Sequence, residues 1–369
     1  MQQRWTYRCY PTPEQEDTLA RTFGCVRYVY NWALALRTKA FKDGKRVGYA
    51  ETDKSLTALK RQPDTVWLNE VSSVPLQQTL RDLQSAFSAF FAKRSAYPSF
   101  KKKGVRASAR FVRTGFKLSD QRLSVAKIGD LKVRWSRRLP SDPSSVTVIR
   151  EASGRYFVSF VVEVETPTLP ATGKEVGIDF GVSRLATLST EERVPNPRHG
   201  SKRAKRLAML QRRLAKKQKG SKRSLRAKRA VARCHEKIAN ARKDALNKLT
   251  TRLVREFDVI HIEDLHLRGM VKNHALARSL SDAGIGMAMR MLEEKAERYG
   301  RTVIRVDRFF PSSKMCSCCG HVAPSMPLSV REWTCSECGA AQDRDLNAAR
   351  NILAAGRVVA AHGFGVRAA

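Results

Sequence analysis

Seven residues of this 369-residue chain have types and spacing that could do chemistry. Cys316 and Cys319 form one C-x2-C pair and Cys335 and Cys338 a second, with fifteen residues between the pairs and a glycine, Gly320 or Gly339, directly after each. A tight knuckle needs positive φ at that glycine, and two knuckles place four thiolates tetrahedrally around one structural Zn²⁺. Such a closed site holds structure and does no chemistry. Cys318 is a spare between two ligands, and the isolated Cys9, Cys25 and Cys234 read as packed thiols. The other three residues are carboxylates. Asp179 lies on an apolar strand between Ile178 and Phe180, Glu263 closes another apolar strand, and Asp345 opens a helix. Each alone could simply cap or pair. Together they would repel unless cations sat between them, and two Mg²⁺ ions would clamp the attacking and leaving oxygens of a phosphodiester. Asp264 cannot share the site with Glu263, because successive strand side chains face opposite ways. Asp343 is the other neighbour to be told apart. His261, with no acid or nucleophile at motif spacing, is not expected to be catalytic.

The elements that must hold these residues are legible from periodicity. Thr12-Pro13-Glu14-Gln15 is a capping box with Pro at the first helical position. Leu19, Phe23, Val26 and Tyr30 continue that helix, with a bend at Gly24. Helices are expected at 55–60 and 76–94, the second with Leu76, Leu80, Leu83 and Phe87 on one apolar stripe. From Arg110 to Glu165 short alternating runs predict an antiparallel β region. Beyond a linker at 167–173, strands at 175–181, 184–188, 259–263 and 302–306 alternate with helices, which implies an α/β domain. Two long basic helices, 202–219 and 222–256, are broken at Gly220-Ser221, and a helix over 346–353 ends the pattern.

Charge sets the class of partner. Seventy Lys and Arg against thirty-four Asp and Glu give +36, a surplus that a polyanion would neutralise. Nineteen basic residues and one acid, Glu236, fall between Arg198 and Lys243. Unneutralised like charges at helical spacing destabilise a helix, so Lys202, Arg203, Arg206, Arg212, Arg213, Lys216, Lys222 and Arg226 are expected on a nucleic-acid backbone. Lys101, Lys102, Lys103 and Arg106 are expected to grip phosphate likewise. Tyr49, Gln77 and Gln78, with Ser72 and Ser73, are candidates for base edges. The 42% hydrophobic content permits real cores, and the length suggests two or three domains. No apolar run is long enough for a membrane span, and the start lacks a secretory h-region. A reducing, intracellular setting follows as an expectation, with clustered cysteines as metal ligands.

The motifs resemble those of the TnpB family. Tyr10-Pro11-Thr12 with Glu14-Gln15, Phe23-Gly24-Cys25 and Val29-Tyr30-Asn31 are similar to its start. Gly177-Ile178-Asp179-Phe180-Gly181 and Ile262-Glu263-Asp264-Leu265 resemble its first two RuvC motifs. Pro311-Ser312-Ser313-Lys314, the first cysteine pair, Arg331-Glu332-Trp333-Thr334-Cys335 and Asp343-Arg344-Asp345-Leu346-Asn347-Ala348-Ala349 resemble its zinc ribbon and third motif. Gln342 stands where relatives often have His. The similarity runs in order from about residue 5 to about residue 353.

That resemblance implies an RNA-guided DNA endonuclease of insertion sequences, related to type V CRISPR effectors. Its partners would be a guide RNA from the transposon end and a double-stranded DNA target cut beside a short flanking motif. The protein would be monomeric on its RNA, and Asp179, Glu263 and Asp345 would hold two Mg²⁺. The implied fold is a multidomain α+β and α/β chain: a β-barrel wedge domain at 1–10 and 108–170, a helical recognition domain at 11–107, and an RNase H-like RuvC domain at 171–369. That last domain would carry a basic helical insertion at 197–256 and the zinc ribbon at 312–341. The rivals are a catalytically silent RNA-guided repressor, against which the three intact carboxylates argue, and an accessory transposase, for which no Tyr- or Ser-recombinase motif speaks.

Overall fold

The computed structural model describes residues 1–362 apart from 105 and 328. The end of the expected tail, 363–369, lies outside the described residues. The chain divides into two compact units, Met1–Glu165 and Thr166–Ala369.

The first unit opens with strand β1 (Gln2–Tyr10), then helices α1 (Pro13–Lys42), α2 (Tyr49–Leu59) and α3 (Ser73–Phe91). Strands β2 (Ala107–Val112), β3 (Phe116–Ser119), β4 (Arg122–Val125), β5 (Gly129–Arg134), β6 (Ser145–Arg150) and β7 (Tyr156–Glu163) follow. Thr12 caps α1 as the sequence implied, its hydroxyl accepting from the Gln15 N–H while the Gln15 side chain accepts from the Thr12 N–H. Helix α1 runs through Gly24 without a break over 30 residues. All seven strands join one antiparallel sheet in the order β2-β6-β7-β1-β5-β4-β3. Strand β1 therefore pairs between β7 and β5, although the three helices separate it from both in sequence. The edge strands β2 and β3 are joined by the turn Arg113–Gly115, and no ladder closes them among the described residues. Leu19, Val29 and Leu76 of the helices share one hydrophobic core with Phe111, Val148 and Phe160 of the sheet.

The second unit holds β8 (Glu175–Phe180), β9 (Arg184–Leu188), β10 (Arg193–Pro195), α4 (His199–Ala215), α5 (Lys222–Glu256) and β11 (Val259–Glu263). Next come α6 (Leu267–Met270), α7 (His274–Ala283), α8 (Ile285–Tyr299), β12 (Thr302–Val306), β13 (Glu332–Thr334), β14 (Ala341–Asp343) and α9 (Arg344–Ala361). The main sheet runs β10-β9-β8-β11-β12, with β8, β11 and β12 parallel and β9 antiparallel to both its neighbours, β8 and β10. Val176 and Ile178 of β8 and Ile260 and Ile262 of β11 face one core with Leu246, Leu249 and Leu253 of α5 and Leu292 of α8. Alternation sends Gly177, Asp179, His261 and Glu263 to the opposite face. Helix α9 packs on that face and extends eight residues past Leu353, where the sequence pattern ends it. No described helix is long and apolar enough to cross a membrane.

Candidate functional site

Register and a missing side chain bring the three carboxylates together. Strands β8 and β11 pair with His261 beside Gly177 and Ile262 beside Ile178, and the next step sets Glu263 beside Asp179. A Cβ on Gly177 would stand 2.2 Å from the Ala349 carbonyl oxygen and 2.7 Å from the Leu353 nitrogen. Only glycine lets α9 cross β8 so closely, and that crossing delivers Asp345, in the first turn of α9, to the strand ends. Farther along, Gly356 admits the His261 ring, whose Nδ1 would be 2.0 Å from a Cβ there. His261 is buried, and its Nε2 lies 3.3 Å from Glu175 Oε2. Its ring is packed between β11 and α9.

Electrostatics separate the three acids from their neighbours. Burial, with the negative charges of Glu263 and Asp345 beside it, pushes the Asp179 carboxyl up to about 8. Burial raises Glu263 as well, opposed by a hydrogen bond from the Ser312 hydroxyl to Glu263 Oε1. Asp345 is held 3.2 Å from Arg331 and 3.7 Å from Arg184. Asp343 is instead the N-cap of α9, accepting from the Leu346 N–H and pairing with Arg184 and Arg193. Asp264 is bound by Arg305 and Arg308. A hard oxygen donor set under mutual repulsion fits a divalent cation such as Mg²⁺. The three carboxylates do not close to within 4.8 Å of one another, as the cysteines do.

The cysteine cluster fits its metal by distance. The sulfurs of Cys316, Cys319, Cys335 and Cys338 all lie within 4.8 Å of one another, with Cys316–Cys338 at 3.7 Å and Cys319–Cys335 at 3.6 Å. A tetrahedron with Zn–S bonds of about 2.3 Å has S···S edges of about 3.8 Å, whereas a disulfide would bring two sulfurs to about 2.05 Å. Gly320 and Gly339 take φ of +81° and +68° at the knuckles. Cys318 is exposed and stands outside the cluster, while Cys9, Cys25 and Cys234 are buried thiols.

Polar residues to which the sequence pattern assigns no role tie the ribbon to the carboxylates. Asn347 and Asn351, one turn apart on α9, both donate to the carbonyls of Ser312 and Met315. The Asn347 side-chain oxygen accepts from the Ser317 N–H, inside the first knuckle. Gln342 is buried and donates to Cys316 Sγ at 3.4 Å. The signal was two asparagines at i and i+4 on an otherwise apolar helix face, which burial makes expensive unless they are bonded.

The proposed nucleic-acid contacts fall on varied ground. Lys202, Arg203, Arg206, Arg212, Arg213, Lys216, Lys222 and Arg226 are all exposed along α4, its C-cap and α5, as are Gln77, Lys102, Lys103 and Arg106. Arg106 pairs with Glu151 at 3.0 Å. Lys101 sends its ammonium over the Tyr30 ring at 4.0 Å, and Tyr49 accepts from Arg81. Gln78 faces the helical core at 6% exposure, so it is not available to a base edge. Sequence periodicity alone does not separate it from Gln77.

Comparison with known proteins shows the family and the fold. Residues 159–274 match a family model described as a probable transposase, residues 286–352 one described as the Cas12f1-like TNB domain, and residues 1–46 one described as a helix-turn-helix domain. In this chain the last region is strand β1 followed by the single helix α1. A Streptomyces pristinaespiralis protein named "Putative RNA-guided DNA endonuclease" is 50% identical over 98% of this chain and 91% of its own length. Escherichia coli K12 InsQ, under the same description, is 36% identical over 98% of this chain and 94% of its own. The Cas12f1 chain from a complex with sgRNA and target DNA superposes with a TM-score of 0.57 at 13% identity, covering 95% of this chain and 98% of that one. The shared fold is thus Cas12f-like α+β with a zinc-ribbon-like element.

Proposed function

Since the chain belongs to the TnpB family of insertion-sequence proteins, related to RNA-guided DNA endonucleases, we propose that it is itself a guide-RNA-directed nuclease that cuts DNA at Asp179, Glu263 and Asp345. The observation that carries this reading is the convergence of those three acids, from β8, β11 and α9, on one end of the second unit's sheet. Two Mg²⁺ ions bound there would polarise the scissile phosphate and clamp the entering and departing oxygens. The chain's own groups do the positioning. Ser312 orients Glu263, Gly177 sets the approach of α9, and Arg331 and Arg184 offset part of the negative charge on Asp345. Burial raises the carboxyl pKa of both Asp179 and Glu263, and at Asp179 the charges of Glu263 and Asp345 add to it, so a cation there would favour the charged forms. Zn²⁺ on the four cysteines would hold the ribbon.

The domain layout belongs to the same proposal. Residues 1–10 and 108–170 serve as the wedge, a division supported by the pairing of β1 between β7 and β5. Residues 11–107 form the recognition helices, and 171–369 the nuclease. The exposed basic faces of α4 and α5 carry guide RNA or heteroduplex through phosphate contacts, which set affinity and salt dependence while base pairing reads sequence. Tyr49 and Gln77 face the flanking motif, and the complex is cytoplasmic, with one protein copy per RNA. The test is to express the protein from its native locus, sequence the RNA that co-purifies, and supply it with Mg²⁺ and a matched target beside a randomised flank. Cleavage that Asp345→Ala abolishes while RNA and DNA binding persist is the expected result. Equal cutting by that variant would refute the site, and absence of a discrete RNA would refute the guided mechanism.

A further inference from the structure

We propose that Ser312, at the root of the zinc ribbon, is a positioning residue for Glu263, and that zinc on the ribbon thereby sets how tightly the carboxylate site holds its divalent cation. The inference rests on the carboxylate reading above and extends it to a coupling between two metal centres that share no ligand.

The chain of contacts is continuous. Ser312 is 6% exposed, and its hydroxyl donates to Glu263 Oε1. That hydroxyl is fixed from behind, because the Ser312 carbonyl accepts from Asn351 Nδ2 at 2.8 Å and from Asn347 Nδ2 at 3.3 Å. Both asparagines also hold the Met315 carbonyl, at 2.6 and 2.7 Å, directly before the first ligand Cys316. Asn347 and Asn351 are 0% and 2% exposed, so their bonds are buried and costly to break. On the other side of the knuckle the Ser317 N–H donates to Asn347 Oδ1 at 2.8 Å, and Gln342, three residues before Asp345, donates to Cys316 Sγ. The segment 312–317 is therefore clamped to α9 at both its ends.

Glu263 has a specific need for this support. It closes β11, so no further strand residue packs it from beyond, and it faces two other acids across the strand ends. A carboxylate in that setting turns away from its neighbours unless a donor holds one oxygen in place. Ser312 holds Oε1 and leaves Oε2 for a cation. Without zinc, Cys316 keeps the Gln342 contact and its neighbours keep the asparagine clamps, but the sulfur loses its strongest restraint, and the placement of 312–317 and of the Ser312 hydroxyl loosens. Outer partners of metal-binding groups commonly change cation affinity by about ten- to a hundredfold.

The experiment measures cation binding directly on the full-length protein, with Mn²⁺ as the probe, by the electron paramagnetic resonance signal of the free ion. Zinc content of each preparation is determined in parallel. Zinc-loaded Ser312→Ala is expected to bind Mn²⁺ at least about tenfold more weakly with its zinc retained, and Ser312→Thr, which keeps a hydroxyl, to bind close to wild type. Zinc-depleted wild type is expected to weaken as Ser312→Ala does, and depletion of Ser312→Ala to add little more. Wild-type Mn²⁺ affinity in zinc-loaded Ser312→Ala would overturn the role of Ser312. Additive effects of the substitution and of depletion would overturn the coupling. Should Ser312→Ala release its zinc, the proposal stands only if Ser312→Thr restores zinc and Mn²⁺ binding together. Asp345→Ala separates the underlying reading: unchanged Mn²⁺ binding there means that the carboxylates are not the cation site at all.

Discussion

The Cα of Gly177 and the carbonyl of Ala349 approach so closely that a single added methyl group would stand 2.2 Å from the carbonyl oxygen. The chain thus spends a backbone position, two residues before Asp179, on the distance between a strand and a helix. That distance decides whether Asp345 reaches the same place as Asp179 and Glu263.

Gly177→Ala should consequently act on both stability and site geometry. Forcing one methyl into a packed backbone approach costs about 1–3 kcal/mol, seen as a lower Tm in thermal unfolding. Target cleavage should fall by a larger factor than the fraction unfolded explains. A variant with wild-type Tm and wild-type cutting would show that α9 can retreat without consequence.

Gln342 should prove to be a zinc-site residue. Its side-chain N–H points at Cys316 Sγ, and donors to metal-bound sulfur stabilise the thiolate form. Gln342→Ala is expected to release zinc to a competing chelator at about tenfold lower chelator concentration. His at this position, with a ring N–H available, should retain most of the affinity. Identical release curves for wild type and Gln342→Ala would remove the residue from the site.

Asp282 gives a pH dependence whose sign follows from its surroundings. Burial alone would raise its pKa, but the N–H groups of Ser201 and Gly200 and the Arg242 guanidinium outweigh burial and hold the carboxyl below its usual value. The folded state thus prefers the carboxylate. The stabilisation is whole above the unfolded-chain value of about 4 and disappears as pH falls through the lower folded value. At a pH of about 7, Asp282→Asn should cost about 1–3 kcal/mol. Melting curves of variant and wild type should converge as pH falls below about 4, and curves that stay parallel there would contradict the assignment.

Removing Arg212 and Arg213 together, each as Ala, should weaken RNA binding without changing which RNA is bound. Every phosphate that goes unneutralised reduces the slope of log affinity against log salt by about 0.7–0.9, so the double variant should be shallower by up to about 1.4–1.8. A slope equal to wild type would place both guanidiniums in solvent.

Much of the second unit was legible because two kinds of signal are local. Strand β12 falls on the expected Thr302–Val306, and the cysteine spacing leads to the sulfur cluster. Signals that depend on a partner elsewhere were not legible. Gly24 stands inside α1 with nothing within 4 Å of where its Cβ would be, so no close approach accounts for a glycine there. Gly356 lies beyond the expected end of α9, but it is the place where His261 enters and the helix continues to Ala361. Gln342 stood out only as a departure from the common His, since nothing in the sequence shows that it touches Cys316. Gln77 and Gln78 are identical in type and adjacent, and only the packing of α3 assigns one to solvent and the other to the core.

The basic hairpin α4–α5 leaves the sheet after β10 and returns at β11. Its two ends are thereby pinned beside strands whose register is set by their own pairing, and its far tip at Gly220 is pinned to nothing in that sheet. Insertions, deletions and charge changes at the tip are therefore expected to leave the pairing of β8 with β11 untouched. On the roles proposed above, grip by α4 and α5 and cutting at the carboxylates can drift at different rates within one gene. A mobile element copied among hosts could in this way acquire a new guide scaffold while inheriting its blade unchanged.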